Sequence, residues 1–429
     1  MLEKRNPIAV GEAVRRVMQF AFTGTKEMVP LPRAYGRFLA EALKADHDVP
    51  AFDRSPYDGF AIRAEDSKSA SAEHPVTFEV VGEIGAGFVF PEQVQEGQAV
   101  RIMTGAQIPA GCNAVVMLEL TRTFEKEGKS YIEIKRTYQE GDNISYQGED
   151  MKKGEPLVQK GTYINPGVAA LLATFGYHEV PVTRKPVIGV IATGSELLET
   201  DEPLQPGKIR NSNAYMIMAQ IERVGAEARY FGKFSDDLDI CIDAVKSALS
   251  EVDMLITTGG VSVGDYDYLP AIYQALGAEV LFNKVAMRPG SVTTVAQRDG
   301  QLLFGLSGNP SACYVGFELF VRPIVRSAFL NQAPHLHREQ AILGEDFKKA
   351  NPFTRLIRAR ITFENGQLVT VPSGFNKSSA VSSLAEAQAF IVLPGGTRGY
   401  EKGMRVDVLL VEDGQGSEWP WDNIVPSYR

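Results

Sequence analysis

The chain has 429 residues, of which 44% are hydrophobic and 23% charged, with a formal net charge of −9. That length exceeds one ordinary core and predicts about two to four domains, while no run approaches the roughly 20 apolar residues that span a bilayer. The acidic balance disfavours nonspecific nucleic-acid binding, which needs clustered Lys and Arg on phosphates, and the three scattered cysteines form no CxxC and suit a reducing compartment. The N-terminus MLEKRNPIAV has no apolar stretch behind its charges, so a cytoplasmic protein without a secretory signal is expected.

Val10, Ala13, Val14, Val17, Met18 and Ala21 recur at helical spacing, so residues 7–22 read as an amphipathic helix ending at Thr23-Gly24. Residues 46–150 read as an inserted, β-rich domain, because short runs such as FEVVGEI, AVVMLEL and YIEIK are broken by Gly, Pro and Asn. Residues 25–45 and 151–184 form a connector, with a helix opening near Pro166. From 185 to 330, apolar strand-like runs alternate with helical patterns, which predicts a mostly parallel sheet with helices on both faces. Helices are expected after Asn213, over 235–251, over 267–276, and from Pro310 onward. Strand signals and NG and GG turns return from 331 to 429 as a separate β domain.

In an open α/β sheet, ligands bind beyond the carboxyl ends of the strands. The exits there read ATGSELL, KFSDDLD, TTGGVSVGDYDY, NKVAMRPG and GLSGNPSA. They place Glu196, Asp236 and Asp267 on three strands at one edge, and carboxylates brought together in this way call for a cation or a proton-transfer task. Mg²⁺ held by these acids and by substrate phosphates meets the first need. Asp236 could equally serve a helix start, as could Asp267, whereas Glu196 has no such local role. Gly259, Gly260 and Ser262 form a loop whose backbone can approach an anion, although a plain tight turn would have the same composition. Lys284 and Arg288 flank the next exit and suit a phosphate clamp or, equally, a solvated surface. In the inserted region, PAFDRSPYDGFAIR imposes a rigid turn around Asp58, RIMTGAQIP presents Thr104, and ISYQGEDM presents Asp150.

Together SPYDGFAIR, RIMTGAQIP, GED, ATGSELL, NSN, TTGGVSVGDYDY, NKVAMRPG and SGNP resemble, in order, the motif series of the molybdopterin molybdotransferases of the bacterial MoeA type, which are similar to the E domain of gephyrin. The resemblance implies a multidomain α/β fold. Its parts are a central three-layer domain of molybdopterin-binding type at 185–330, joined by the N-terminal helix of 1–24, the inserted domain, a discontinuous connector, and a C-terminal barrel-like β domain. It also implies an elongated homodimer in which the Asp58 turn and Asp267 meet from opposite subunits. The implied reaction is Mg²⁺-assisted insertion of molybdate into the dithiolene of adenylylated molybdopterin, with release of AMP.

Carried over by motif, Asp58, Thr104, Glu196, Asp236, Asp267 and Lys284 take catalytic roles, with Glu196, Asp236 and Asp267 also handling the metal. Asp150, Ser212, Asn213, Gly259, Gly260, Ser262, Arg288, Gly308, Asn309 and Pro310 take substrate-binding roles. Ser145 stands where Arg is common in the family, Ser291-Val292 where Lys-Pro is common, and Ser307 where Pro precedes GNP; Arg288 replaces a frequent Lys and keeps its charge. A molybdopterin adenylyltransferase and proteins that mature molybdoenzymes are the implied partners. Two rival readings are an adenylyltransferase of molybdopterin, which the inserted and C-terminal domains disfavour, and a non-enzymatic scaffold, which would not need acids converging on one edge.

Overall fold

The computed structural model describes residues 6–234, 237–259, 269–348, 352–396 and 399–411. It divides into two compact units, one of 1–40, 160–165 and 179–429 and the other of 41–159 and 166–178. Among the described residues, no helix is long and apolar enough to cross a membrane.

The larger unit is built on a six-stranded sheet. Its order is Glu227–Phe234, Val187–Thr193, Met254–Thr258, Gln301–Leu306, Thr294–Arg298, Glu279–Phe282. The first four strands run parallel; Thr294–Arg298 is antiparallel to both neighbours. The buried-on-both-faces runs VIGVIAT and MLITT are what such a sheet requires. Helices cover both faces: Ser212–Arg223 and Pro310–Gly316 contribute to one core, with Ile217, Ile221 and Val315, and Leu238–Leu249 and Leu269–Ala275 to the other, with Val245 and Ile272. The N-terminal helix Val10–Met18 buries Ala13 and Val17 in the first of these cores.

Several helix starts differ from the sequence reading. The third helix begins at Ser212, because the Asn211 side chain accepts from the Ala214 N–H and caps it. The next begins at Leu238, where Asp237 caps by accepting from the N–H groups of Asp239 and Ile240. The helix from Pro310 continues through a π-helical stretch, Phe317–Val321, into Arg322–Ala328.

The C-terminal strands close on themselves. Thr354–Glu364 pairs with both Gln367–Pro372 and Ala389–Leu393, and the ring is completed through Arg405–Leu410 and His337–Leu343. A closed barrel leaves no unpaired edge between these strands. Its interior holds Leu343, Ile357, Ile391 and Val408. The hairpin Asn365-Gly366 has φ of 51° and 77°, the two left-handed residues that a type I′ turn needs. Outside the barrel, Met287–Arg288 pairs in parallel with Thr354–Arg355.

The smaller unit carries a second six-stranded sheet, ordered Ala114–Met117, Gly59–Ile62, Gln98–Ile102, Val76–Ile84, Lys129–Ile134, Arg122–Lys126. Its pairings are antiparallel except that between Val76–Ile84 and Gln98–Ile102. Helix Pro166–Thr174 and the paired strands Leu43–Lys44 and Pro156–Val158 complete the unit.

Candidate functional site

The chain leaves strand Val187–Thr193 toward Glu227–Phe234 on one side and then returns to Met254–Thr258 on the other. The connections therefore diverge beyond Thr193 and Thr258, at a topological switch point where a crevice must open. Gly259 sits here with φ of +92°, and a Cβ on it would stand 2.4 Å from the Thr193 carbonyl oxygen. A side chain at this position would be both strained and blocked. Gly308, after the next strand, lies beside it: a Cβ on Gly308 would stand in ordinary contact with the Gly259 Cα, at 3.6 Å. Three strand exits thus come together at Thr193, Gly259 and Gly308.

The crevice is a cleft of about 330 Å³ lined by Thr193, Glu196, Ser212, Asn213, Gly259 and Asn309, with Gly308, Pro310, Ser379 and Val381. Glu196 is exposed and its carboxylate folds back over Gly194. The loop that carries it is pinned on either side: Lys208 Nζ donates to the Ser195 carbonyl at 2.5 Å, and Lys233 Nζ donates to the Leu197 carbonyl at 3.2 Å and pairs with Glu202. Asn213 is buried, and its Nδ2 donates to the Gly308 carbonyl at 2.8 Å, while its Oδ1 has no partner among the described residues. Asn211, deeper still, donates from Nδ2 to the Tyr230 hydroxyl at 2.8 Å, which in turn donates to Glu199 at 2.7 Å. Burial foremost, and then the bond to Glu199, hold the Tyr230 hydroxyl protonated far above its ordinary range.

A second cavity of about 410 Å³ adjoins the first through the shared Asn309. Its walls are cationic and polar: Arg288, Ser291, Ser307, Arg355, Arg358, Asn376 and Ser378. Arg358 is 1% exposed and holds the segment 373–387 from beneath. Its Nε donates to Ser383 Oγ at 3.0 Å, and one terminal nitrogen donates to the carbonyls of Phe375 and Lys377, each at 3.3 Å. Ser311 grips the same segment from the helix side, its N–H donating to the Ser378 carbonyl at 3.0 Å and its hydroxyl to the Ala380 carbonyl at 2.7 Å. The segment therefore forms a fixed wall common to both cavities.

In the other unit, Asp58 and Thr104 meet. Asp58 Oδ1 accepts from the Thr104 N–H at 2.7 Å and from its hydroxyl at 2.9 Å. The backbone bond foremost, and then the hydroxyl bond, hold this exposed carboxyl below its ordinary range, so that it is a carboxylate at neutral pH. The turn beneath is stitched at Ser55, whose N–H donates to the Ala106 carbonyl at 3.0 Å and whose hydroxyl donates to the Tyr57 carbonyl at 2.5 Å. Gly59 allows strand pairing to continue, since a Cβ there would stand 2.0 Å from the Val116 carbonyl oxygen. Asp53 and Asp48 are used structurally: they accept from the backbone N–H groups of Gln147 and Lys153, each at 2.7 Å.

Residues 8–176 match the MoeA N-terminal region (domain I and II), 189–327 the probable molybdopterin binding domain, and 340–411 the MoeA C-terminal region (domain IV). The chain is 62% identical to a molybdopterin molybdenumtransferase of Bacillus subtilis over 98% of both chains, and 52% identical to one of Staphylococcus epidermidis over 97% of this chain and 99% of that one. It also superposes on the crystal structure of a molybdopterin biosynthesis MoeA protein from Pyrococcus horikoshii OT3, with a TM-score of 0.78 and 31% identity, covering 95% of this chain and 100% of that one. The chain belongs to the MoeA family of molybdopterin molybdenumtransferases. It is a transferase of molybdenum-cofactor biosynthesis.

Of the MoeA-type residues named from sequence, the fold gathers Glu196, Ser212, Asn213, Gly259, Gly308, Asn309 and Pro310 around one cleft. Arg288 lines the adjoining pocket. Lys284 lines neither, and its carbonyl accepts from the Ile8 N–H at 3.1 Å. Asp150 is exposed on the smaller unit, its own N–H donating to the Val49 carbonyl at 3.0 Å. Asp236, Gly260, Ser262 and Asp267 lie outside the described residues. No group of three His, Cys, Asp or Glu side chains able to hold a metal occurs among the described residues, and Glu196 is the carboxylate that they contribute to the cleft. One carboxylate with substrate phosphates and water is a ligand set that Mg²⁺ accepts.

The residues missed from sequence are Arg355 and Arg358 with the segment 373–387. A signal for them was present, because RLIRARI sets arginines inside a strand otherwise apolar on both faces, and a buried cation needs a partner or a ligand.

Proposed function

We propose that the enzyme inserts molybdate into the dithiolene of adenylylated molybdopterin, releasing AMP, with the pterin nucleotide in the switch-point cleft and molybdate in the arginine-lined pocket beside it. The observation that carries this reading is the adjacency of the two cavities through Asn309. A cleft that combines the Glu196 carboxylate and Arg210 with the amides of Asn211, Asn213 and Asn309 suits a phosphate-bearing heterocycle that both donates and accepts hydrogen bonds, and a pocket with Arg288, Arg355 and Arg358 on its walls suits a dianion. Neither cavity offers a thiolate or imidazole to hold molybdenum, since histidine and cysteine are missing from both linings. The dithiolene sulfurs of the substrate are then the metal's ligands, and the protein supplies orientation and charge.

In this proposal Glu196 holds Mg²⁺ against the substrate's phosphates, together with Asp236 and Asp267. When bound, Mg²⁺ neutralises charge on the phosphate that leaves. Gly259 gives the phosphates close access to backbone, Asn213 fixes the pterin nucleotide, and Asp58 with Thr104 supplies a fixed carboxylate. The test is an assay with purified adenylylated molybdopterin, molybdate and Mg²⁺. AMP release coupled to formation of molybdenum cofactor is expected; consumption of ATP to make the adenylylated pterin would instead show an adenylyltransferase, and no turnover a scaffold.

The cytoplasmic homodimer is part of the same proposal, with a molybdopterin adenylyltransferase as the donor of substrate and maturation proteins as acceptors of product. Its test is subunit mixing. Asp58→Ala and Asp267→Ala proteins, each inactive alone, should regain about a quarter of wild-type activity after random exchange, as two-fold symmetry dictates when each site draws on both subunits. Two distinguishable tags establish the exchange, and proven exchange without recovered activity would overturn the shared site.

A further inference from the structure

We infer that Arg288 and Arg355 form a paired clamp for a tetrahedral dianion, and that Arg355 sets the preference of the pocket for two negative charges over one. The inference rests on the reading of this pocket as the anion site.

Strand register sets the two arginines side by side. In the parallel pairing of Met287–Arg288 with Thr354–Arg355, Arg288 stands opposite Arg355. Both line the same cavity. Each is braced by a ring, Arg288 over Phe353 at 5.9 Å and Arg355 over Phe347 at 5.2 Å, which orients the planar fork as well as stabilising it.

What the pair lacks is an anion. No carboxylate pairs with either arginine among the described residues, and the Nε of Arg355 is buried without an acceptor. Two like charges side by side, one carrying a buried unsatisfied donor, are an arrangement that proteins keep only where something answers it. Burial first, and the neighbouring Arg288 second, lower the pKa of Arg355. A monoanion neutralises one of the two cations. A dianion neutralises both and can accept from two forks at once, which is the geometry in which Arg exceeds Lys. Arg358 plays a different part, since its donors are already committed to Ser383, Phe375 and Lys377.

Two dianions could meet this clamp, free molybdate or the phosphate of the nucleotide. Calorimetric titration of the full-length enzyme separates them, with molybdate, perrhenate as a tetrahedral monoanion, and AMP as probes. Wild type should favour molybdate over perrhenate. In Arg355→Gln the molybdate affinity should fall about 10- to 100-fold, the scale of one charge-assisted hydrogen bond, while perrhenate affinity changes little. Arg355→Lys should recover part of the preference, because it restores charge without the fork. If AMP rather than molybdate loses affinity in Arg355→Gln, the clamp stands and the placement of molybdate in this pocket fails. If neither dianion is weakened relative to perrhenate, the clamp is wrong, and molybdate binding that is nonetheless lost in Arg288→Gln would leave the pocket assignment intact.

Discussion

The corner around Asp58 and the pair of cavities beyond the central sheet solve opposite problems with polar groups. At the corner, the carboxylate is answered by its own chain, with one oxygen taking two donors from Thr104 and the turn beneath closed by Ser55. In the cavities, polar atoms are left unanswered: Asn213 Oδ1 and Arg355 Nε are buried and have no partner among the described residues. An unmade buried hydrogen bond costs about 1–3 kcal/mol, and where such an atom also lines or borders a cavity, as these two do, a ligand can supply the missing partner. The answered atoms at the corner mark a group that is fixed before any ligand arrives. The contrast assigns preorganised charge to one region and ligand capture to the other, and each assignment can be broken by substitution.

The largest effect is expected at Glu196. Among the described residues its carboxylate makes no hydrogen bond, and it is exposed, so Glu196→Gln should leave the melting temperature unchanged. If it serves Mg²⁺ and the departing phosphate, AMP release should fall by about 10²- to 10³-fold, the scale of losing one charge-stabilising contact in a transition state. A variant that turns over normally would remove Glu196 from the chemistry, and one that melts early would make it structural.

Arg358 should show the reverse balance. Its guanidinium is buried and its contacts are with the segment that forms a wall common to both cavities. Arg358→Ala leaves the carbonyls of Phe375 and Lys377 without that donor and should destabilise the protein by about 2–4 kcal/mol, visible as an earlier denaturant midpoint. Because Asn376, Ser378, Ser379 and Val381 belong to that wall, apparent KM values for molybdate and for the pterin nucleotide should both rise. A stability loss with unchanged KM values would show that the wall holds without its staple.

The sheet, its exits and the identity of the cleft residues were legible because each rests on a local pattern. Runs such as VIGVIAT and MLITT announce buried parallel strands, and Gly-rich stretches after them announce exits. The grouping of Glu196 with Asn213 and Gly308 then follows from sheet topology alone. Two things were not legible. The sequence NSN offers three residues able to cap, and the choice of Asn211 depends on its second bond to Tyr230, which lies on a strand distant in sequence. The arginine pocket depends on a pairing between Met287–Arg288 and the barrel strand Thr354–Glu364, and no periodicity in either segment records which distant strand it will join.

The smallest effect tests how the corner fixes its charge. The pKa of Asp58 lies below 3.8, its ordinary value, first through the Thr104 N–H and second through the Thr104 hydroxyl. A carboxyl whose folded pKa is depressed adds stability that is fully present above its unfolded value and is lost as pH falls through the folded one. The Asp58–Thr104 contact should therefore persist throughout the neutral range and weaken only below pH 3.8. Thr104→Val removes the hydroxyl donor and retains the backbone N–H, which is the larger cause. The carboxyl should then titrate somewhat closer to its ordinary value without reaching it, as read by carbon-detected NMR titration of Asp58. Activity measured near neutral pH should change little through ionisation alone, because Asp58 is a carboxylate there in both proteins. A loss of activity in Thr104→Val at neutral pH would thus report the Thr104 hydroxyl itself, or the aim of the carboxylate, and not its charge. An Asp58 titration unchanged by the substitution would show that the backbone bond alone sets the charge of the corner.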